Sequence, residues 1–457
     1  MDVSADEWAS ARSSPALEEH DAPARQRTKL FGGDDRAAER AASDGGAWAS
    51  PTGIELLPVA DTAASAAPAD ADADGALLVR LGRGGFAQRS ACERLLRLSA
   101  WLCACAALLP LWAACAAAER CVAGRGSLRS KMVAWRFVAL VWHDAIVVAC
   151  ALLPASYGSH AIWCFPPGAS GGCCALTVDD APGRDPEALC ELLDALREAG
   201  ARATFFVTTD YAEGLVDDAA SAALPPSAKA EWRARVAAAL RRLVREGHEL
   251  AHHMPQDRPY AGLCARDEGA FRAELARAER VLRAVAADAR TPTAERPPDE
   301  AAPAAAVSRG AGADAVGAGV SGAGVSGRWF RPPSAVLSAR MAAIVRHAGY
   351  RIVLCDAYSA DPWIDGGAAP RAHVCRFHAE WLSGAMRAGS IAVLHTPERA
   401  ARRQTIDAVR ALVPALRAKG LRCVTLSELA QRVLDSSRGV GAVTDTRDGY
   451  ASLETRG

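Results

Sequence analysis

The segment CCALTVDDAP, residues 173–182, sets the pattern for the folded part of this chain, because an apolar run ends there in two adjacent aspartates. A short apolar run bounded by polar and turn-forming residues is typical of a buried strand. Six later segments have the same character. Together these runs predict strands over 173–178, 201–207, 247–253, 327–331, 350–355, 390–395 and 421–426.

The longer segments between these runs are amphipathic, with apolar residues at the spacing of a helix that packs on one face. They predict helices over 186–199, 228–245, 267–287, 337–348, 376–387 and 402–418. Strands that alternate with helices favour parallel pairing, because each helix returns the chain to the same edge of the sheet. About seven such units predict an α/β fold, a distorted (β/α) barrel that is closed or nearly closed, with functional groups at the C-terminal ends of its strands.

Charge is unevenly distributed along the 457 residues, although 53 basic and 53 acidic side chains give a net charge of zero. Residues 1–78 carry a net charge of −9, residues 79–136 carry +8, and the rest is nearly neutral. With half of its residues hydrophobic, the chain is neither wholly disordered nor a small disulfide-stapled scaffold. It also lacks the one-sided basic character of a nucleic-acid binder, so we predict no nucleic-acid partner.

Composition divides the chain into four parts and one insertion. The first part is polar and has no apolar period, which is typical of a disordered tail. The insertion is rich in Ala, Gly and Pro and repeats AGVSG, which indicates a flexible segment. The predicted parts are a disordered acidic tail (1–78), a basic belt with hydrophobic segments (79–158), a folded domain (160–433) with its insertion (288–326), and a disordered C-terminal tail (434–457).

Two apolar segments lie in the basic belt. Residues 98–118 hold no charge over 21 positions, and about 20 apolar residues cross a bilayer core. We predict a transmembrane helix there, with a buried helix of a soluble domain as the alternative. Residues 137–157 carry His143 and Asp144 near their middle, so they predict either a second crossing or an interfacial segment. With two crossings, the basic loop between them would be cytoplasmic and the folded domain luminal or extracellular.

Polar side chains at the predicted strand ends are the candidates for chemistry. One imidazole and two carboxylates could hold a divalent metal and leave positions open for water and substrate. Of two adjacent carboxylates, one could bind the metal while the other accepts a proton. The alternatives are structural, because paired aspartates often cap helices and single histidines often lie in cores. The candidates are Thr177, Asp179, Asp180, His252, His253, Asp257, Arg331, Asp361 and His395.

Five segments in this order resemble the polysaccharide deacetylases of the chitin deacetylase-like type, which carry the NodB homology domain of carbohydrate esterase family 4. The resemblance covers about residues 160–432, and the motif sequences also resemble those of the eukaryotic branch. The segments are LTVDDAP (176–182), ARATFFV (201–207), GHELAHHMPQDRP (247–259), RWFRPPS (328–334) and AVLHTPER (392–399).

The resemblance implies four catalytic positions. Asp179 matches the general base, and Arg331 matches the arginine that orients this base. His395 matches the general acid, and Asp361 matches the acidic residue that holds it.

The resemblance also implies a metal site at Asp180, His253 and Asp257. Asp257 stands where the family has a second histidine, a departure that makes the site harder and more anionic. Zn²⁺ is still our first choice, but the harder site favours Mn²⁺ or Co²⁺ as alternatives.

By this resemblance, we expect the enzyme to remove acetyl groups from an N-acetylated oligosaccharide or polysaccharide. One alternative is an O-acetyl esterase with the same fold, and another is a membrane-anchored, inactive glycan-binding protein. We expect anchoring to a membrane through 98–118, and with the second crossing the catalytic domain would lie in a lumen or outside the cell. The sequence predicts no particular oligomeric state.

Overall fold

The computed structural model describes residues 76–81, 90–123, 128–213, 225–290, 328–367, 372–398 and 401–448. The predicted acidic tail over 1–78 and the predicted insertion over 288–326 lie almost wholly outside the described residues.

One parallel sheet of nine strands organises the described residues. Its spatial order is β1-β6-β5-β4-β3-β2-β8-β7, and β9 also pairs with β2. Every strand pair is parallel. The strands are β1 (Ala161–Ile162), β2 (Cys173–Ala181), β3 (Thr204–Val207), β4 (Glu249–His252), β5 (Trp329–Phe330), β6 (Arg351–Val353), β7 (Ala357–Tyr358), β8 (Ile391–His395) and β9 (Arg422–Val424).

The parallel α/β architecture confirms the prediction from the sequence. All seven predicted strands are present, and the two additional ones, β1 and β7, are only two residues long. An isolated antiparallel bridge joins Cys164 to Ser390, so the chain after β1 reaches the beginning of β8. The sheet therefore curls into an incompletely closed barrel, because this contact is a single bridge and not a full strand pair.

Helices connect and cover the strands. Each of the six predicted helices is present, with its ends shifted by a few residues. The helices are α1 (Ala91–Ala123), α2 (Leu128–Ala139), α3 (Trp142–Leu152), α4 (Pro186–Glu198), α5 (Thr209–Ala212), α6 (Pro226–Arg245), α7 (Ala261–Arg266), α8 (Glu268–Arg290), α9 (Ala339–His347), α10 (Ala372–Ala385), α11 (Gln404–Ala418) and α12 (Leu426–Asp448).

Strand β2 is buried on both faces, as expected for a central parallel strand. Cys174, Leu176 and Val178 pack against the outer helices in one apolar cluster. Cys173 and Ala175 point the other way, into a second cluster inside the barrel. Because side chains alternate along a strand, the odd-numbered residues of β2 face the inside of the barrel.

The C-terminal segment differs from its prediction. Residues 434–457 were expected to be disordered, but α12 continues to Asp448. Leu429, Val433 and Leu434 are buried in the inner cluster beside Trp329, and this apolar contact stabilises a helix that the polar composition concealed.

The N-terminal helices give a mixed result for the membrane predictions. Within the described residues, no single helix is both long and apolar enough to cross a membrane, whereas α2 and α3, bent by 56°, would pass that test together on length and composition. The predicted span over 98–118 lies within α1. A crossing at 98–118 therefore stays a prediction.

The predicted second segment, 137–157, packs against the barrel. The His143 Nε2 atom lies 3.1 Å from the carbonyl oxygen of Asp356, and the ring centroid of Trp135 in the preceding helix lies 5.2 Å from that of Tyr358. Asp144, the charge that weakened the membrane interpretation, is buried and paired with Arg94 at 3.1 Å and Arg97 at 3.0 Å.

Asp144→Ala should destabilise the protein by about 3–5 kcal/mol, because it leaves the buried guanidinium of Arg94 without its carboxylate. Urea-induced unfolding measures this loss. Asp194→Ala is the matched control, since Asp194 also pairs with two arginines but is partly exposed, and its loss should be below about 1 kcal/mol. Equal losses in the two variants would contradict the importance of this buried pair.

Candidate metal and acid–base site

The C-terminal ends of the central strands bring the candidate side chains together. Asp179 on β2 is in register with His395 on β8, and His252 on β4 is in register with Phe330 on β5. His253 and Arg331 directly follow these last two positions. The parallel sheet therefore gathers residues that are far apart in sequence at one end of the barrel.

A local irregularity at the end of β2 separates the two adjacent aspartates. The register between β2 and β3 shifts between Val178 and Ala181, as in a β-bulge. Asp180 has a φ of 64°, a left-handed conformation that is uncommon for a residue with a side chain. Consequently Asp179 contacts Arg331 while Asp180 faces His253, so the two carboxylates can have separate roles.

Arg331 fixes Asp179 inside the barrel. Its Nη1 atom donates to Asp179 Oδ1 at 2.6 Å and to Thr177 Oγ1 at 2.7 Å, while Nη2 donates to the Leu354 carbonyl at 3.0 Å. The guanidinium also lies 4.1 Å from the ring centroid of Phe206. Because these partners are buried, Asp179 has little freedom to rotate and stays paired with a positive charge.

Asp180, His253 and Asp257 form a donor set of the kind that holds a divalent metal. Their ligand atoms all lie within 4.8 Å of one another. His253 Nε2 is 3.7 Å from Asp180 Oδ1 and 3.9 Å from Asp257 Oδ1. Asp180 Oδ1 is buried and has no hydrogen-bond partner, which is costly unless a cation satisfies it.

The tautomer of His253 suits a metal ligand. Its Nδ1 atom is 3.0 Å from the carbonyl oxygen of Arg331, and a carbonyl can only accept, so Nδ1 carries the proton. The lone pair of Nε2 then points toward the two carboxylates. Metal-binding histidines are commonly held in this way. The neighbouring His252 faces the opposite side and contacts the Leu275 carbonyl at 3.1 Å.

Asp257 completes the donor set from the rim of the barrel. It is half-exposed, and its Oδ1 accepts a hydrogen bond from the Ser334 backbone at 3.1 Å. Burial and the nearby charge of Asp180 raise the pKa of the Asp257 carboxyl group. A cation between the two carboxylates would relieve this repulsion, so the residues present fit a divalent metal.

Asp361 holds His395 in a defined orientation. Asp361 Oδ1 lies 3.1 Å from His395 Nδ1, and Asp361 Oδ2 accepts from the His395 backbone at 2.8 Å. Burial opposes protonation of the imidazole, but the charge and hydrogen bond of Asp361 outweigh it and raise the pKa of His395 to about 9. His395 is therefore protonated at neutral pH, and its Nε2 proton can be donated.

Two charged residues of the site were missed by the sequence analysis. Arg402 contacts Asp180, and Glu398 contacts Arg402. Both lie in the polar segment after AVLHT, whose composition is typical of an exposed loop. The sequence indicated them only by their position after a strand that ends in a candidate residue. They line a cavity of about 540 Å³ together with Asp180, Arg184, Asp210, Tyr211, Pro255, Gln256 and Asp257.

The end of the parallel barrel thus brings a metal-type donor set together with two positioned acid–base groups, a combination that can support hydrolysis. Residues 168–316 match the family model described as polysaccharide deacetylase, so this part of the chain is similar to that family. The finer resemblance to chitin deacetylases and to their eukaryotic branch stays a prediction.

The solved structures that are similar to this chain include a deacetylase, an esterase and a pseudoenzyme. A peptidoglycan N-acetylglucosamine deacetylase is 20% identical, with a TM-score of 0.40, covering 59% of this chain and 92% of its own. A family 4 carbohydrate esterase from Streptomyces lividans is 20% identical, with a TM-score of 0.36, covering 56% and 92%. A family 4 pseudoenzyme from Bacillus anthracis is 15% identical, with a TM-score of 0.36, covering 59% and 68%. No curated protein matches the chain.

The purified protein should bind one Zn²⁺ per chain, and His253→Ala or Asp180→Ala should abolish this stoichiometric binding, because each removes one of three ligands. Elemental analysis after dialysis against trace metal measures the content. His347→Ala, which changes an exposed histidine, is the control and should retain the metal. Unchanged metal content in both ligand variants would refute the assignment.

Proposed function

We propose that this domain is a divalent-metal-dependent hydrolase that removes acetyl groups from N-acetylated sugars of a polysaccharide or glycan. The observation that carries the proposal is the juxtaposition of the Asp180, His253 and Asp257 donor set with Asp179 and His395 at one end of the barrel. The match of residues 168–316 to the polysaccharide deacetylase family supports an acetylated carbohydrate as substrate.

The donor set would hold Zn²⁺, with Mn²⁺ or Co²⁺ as alternatives because two of its three ligands are carboxylates. When bound, such a cation polarises an acyl oxygen and lowers the pKa of water.

Asp179 would act as the general base. Arg331 occupies its Oδ1 atom and fixes the plane of the carboxylate, so that Oδ2 can accept a proton from the attacking water. Arg331 itself would orient the base, since its two terminal nitrogens donate to Asp179, Thr177 and the Leu354 carbonyl.

His395 would act as the general acid. The nitrogen of an amide leaves poorly unless it is protonated, and His395 is held in its protonated form by Asp361. Its transfer of the Nε2 proton to the departing nitrogen completes hydrolysis, with acetate and a free amino sugar as products.

An O-acetyl esterase is the second candidate, because the same residues could cleave an ester. An alkoxide leaves more readily than an amide nitrogen, so an ester makes less use of a general acid. The tight Asp361–His395 pair therefore favours the amide substrate. An inactive glycan-binding protein is the weaker alternative, since every predicted acid–base residue lies at the barrel end.

We also propose that residues 98–118 anchor the protein to a membrane, with the catalytic domain luminal or extracellular. The uncharged composition of this segment supports the anchor. The luminal or extracellular side follows from a second crossing by residues 137–157, because the arginines on both sides of 98–118 favour neither orientation.

The protein should release acetate from N-acetylglucosamine oligomers, and a chelator should abolish the release. His395→Ala should lower turnover by roughly 10²–10⁴-fold because the leaving nitrogen loses its proton donor, while metal content is retained. Acetate quantification on N-acetyl and O-acetyl oligosaccharides separates the two candidate functions. Full turnover by His395→Ala would show that another group is the acid.

Activity should fall as pH rises through about 9, the pKa of His395, because only its protonated form can donate. Asp361→Asn removes the charge that raises this pKa, so the alkaline decline should move to lower pH, toward an ordinary histidine value near ~6.5. The pH profile of kcat/KM measures the shift. Asp407→Asn changes a half-exposed aspartate paired with Arg410 and should leave the profile in place.

A further inference from the structure

The two carboxylate oxygens of Asp180 have different surroundings. Oδ2 accepts a hydrogen bond from Arg402 Nη1 at 2.7 Å. Oδ1 faces His253 and has no hydrogen-bond partner. Only Oδ1 is therefore available to a cation while the contact with Arg402 persists.

Arg402 is held firmly in this position. Its second nitrogen, Nη2, donates to Glu398 Oε1 at 3.2 Å, and its side chain is mostly buried. The backbone has a φ of 57°, which side-chain-bearing residues seldom adopt, and its N–H donates to Asp365 Oδ1 at 2.8 Å. Backbone hydrogen bonds between Glu398 and Ala401 close the preceding turn.

The guanidinium does not behave as a free substrate-binding cation, although it lines the cavity. Asp180 and Glu398 engage its two terminal nitrogens, and a bond of this charge-assisted kind is strong. The neighbouring Arg403 shows the contrast, because its side chain turns away and pairs with Glu191.

We propose that Arg402 is a positioning residue that restricts Asp180 to a single metal-binding oxygen. A carboxylate can bind a cation through one oxygen or through both, and two-oxygen binding by Asp180 would require loss of the Arg402 contact. One-oxygen binding keeps coordination positions open for water and the acetyl group. The inference rests on the proposed metal-dependent function and concerns how that site is kept open.

Removal of the guanidinium should have two effects that a purely structural role would not combine. Asp180 would be free to bind through both oxygens, and the site would lose a nearby positive charge, so both changes favour tighter cation binding. The additional bond would fill an open position and slow the reaction. Arg402→Met should therefore bind Zn²⁺ several-fold more tightly yet release acetate more slowly.

The decisive measurement is the visible absorption of bound Co²⁺. The visible absorption of Co²⁺ weakens with each added ligand, from four-coordinate through five-coordinate to six-coordinate. The absorption per bound Co²⁺ should be several-fold lower in Arg402→Met than in the unchanged protein. Competition with a chromophoric chelator measures the Zn²⁺ affinity of both proteins. Arg403→Met, adjacent in sequence and paired with Glu191, should match the unchanged protein in both measurements.

Arg402→Ala serves as a second variant if the methionine variant does not fold, since it removes the same contact with less bulk. Unchanged Co²⁺ absorption in the folded variant, or weaker Zn²⁺ binding, would overturn the positioning role. If the unchanged protein binds neither Co²⁺ nor Zn²⁺, the proposed metal-dependent function fails and the role of Arg402 fails with it.

Discussion

The site depends on the separation of two adjacent carboxylates, Asp179 and Asp180, at the end of β2. Side by side and buried, these two charges would repel each other, and one would be driven to its neutral form. The bulge in the strand turns them apart, and each meets its own arginine, Arg331 or Arg402. In this arrangement each buried carboxylate is paired with its own positive charge.

The electrostatic consequences extend across the barrel end. His395 lies near these carboxylates and is charged through its contact with Asp361, so it adds a third positive group to Arg331 and Arg402. Asp257 is the ligand whose charge is least compensated. It lies at the rim and, among the described residues, contacts the backbone and hydroxyl groups of Ser334 besides the imidazole of His253. A dication beside it would supply the missing positive charge, which is why the donor set can include a second carboxylate.

The sequence predicted the repeating part of this fold well, because strand and helix periods leave clear apolar patterns. It missed β1 and β7, since two residues are too few for any pattern, and it missed most of α12, whose polar composition hides the contacts of Val433 and Leu434. The candidate site followed from residues at strand ends. Arg402 could not be predicted because its role depends on a left-handed backbone and on a tertiary contact with Asp180.

The N-terminal helices have a practical consequence for any shortened version of the protein. Composition suggested a domain that starts near residue 160, but Met132 and Trp135 pack against Ala360 and Ile364, the residues that flank Asp361 on either side. Lys131 Nζ donates to the Trp363 carbonyl in the same loop at 2.9 Å. A truncation near residue 160 would remove these contacts from the segment that holds Asp361 and, through it, His395. A fragment that begins there would therefore fold with the His395 side chain less firmly oriented.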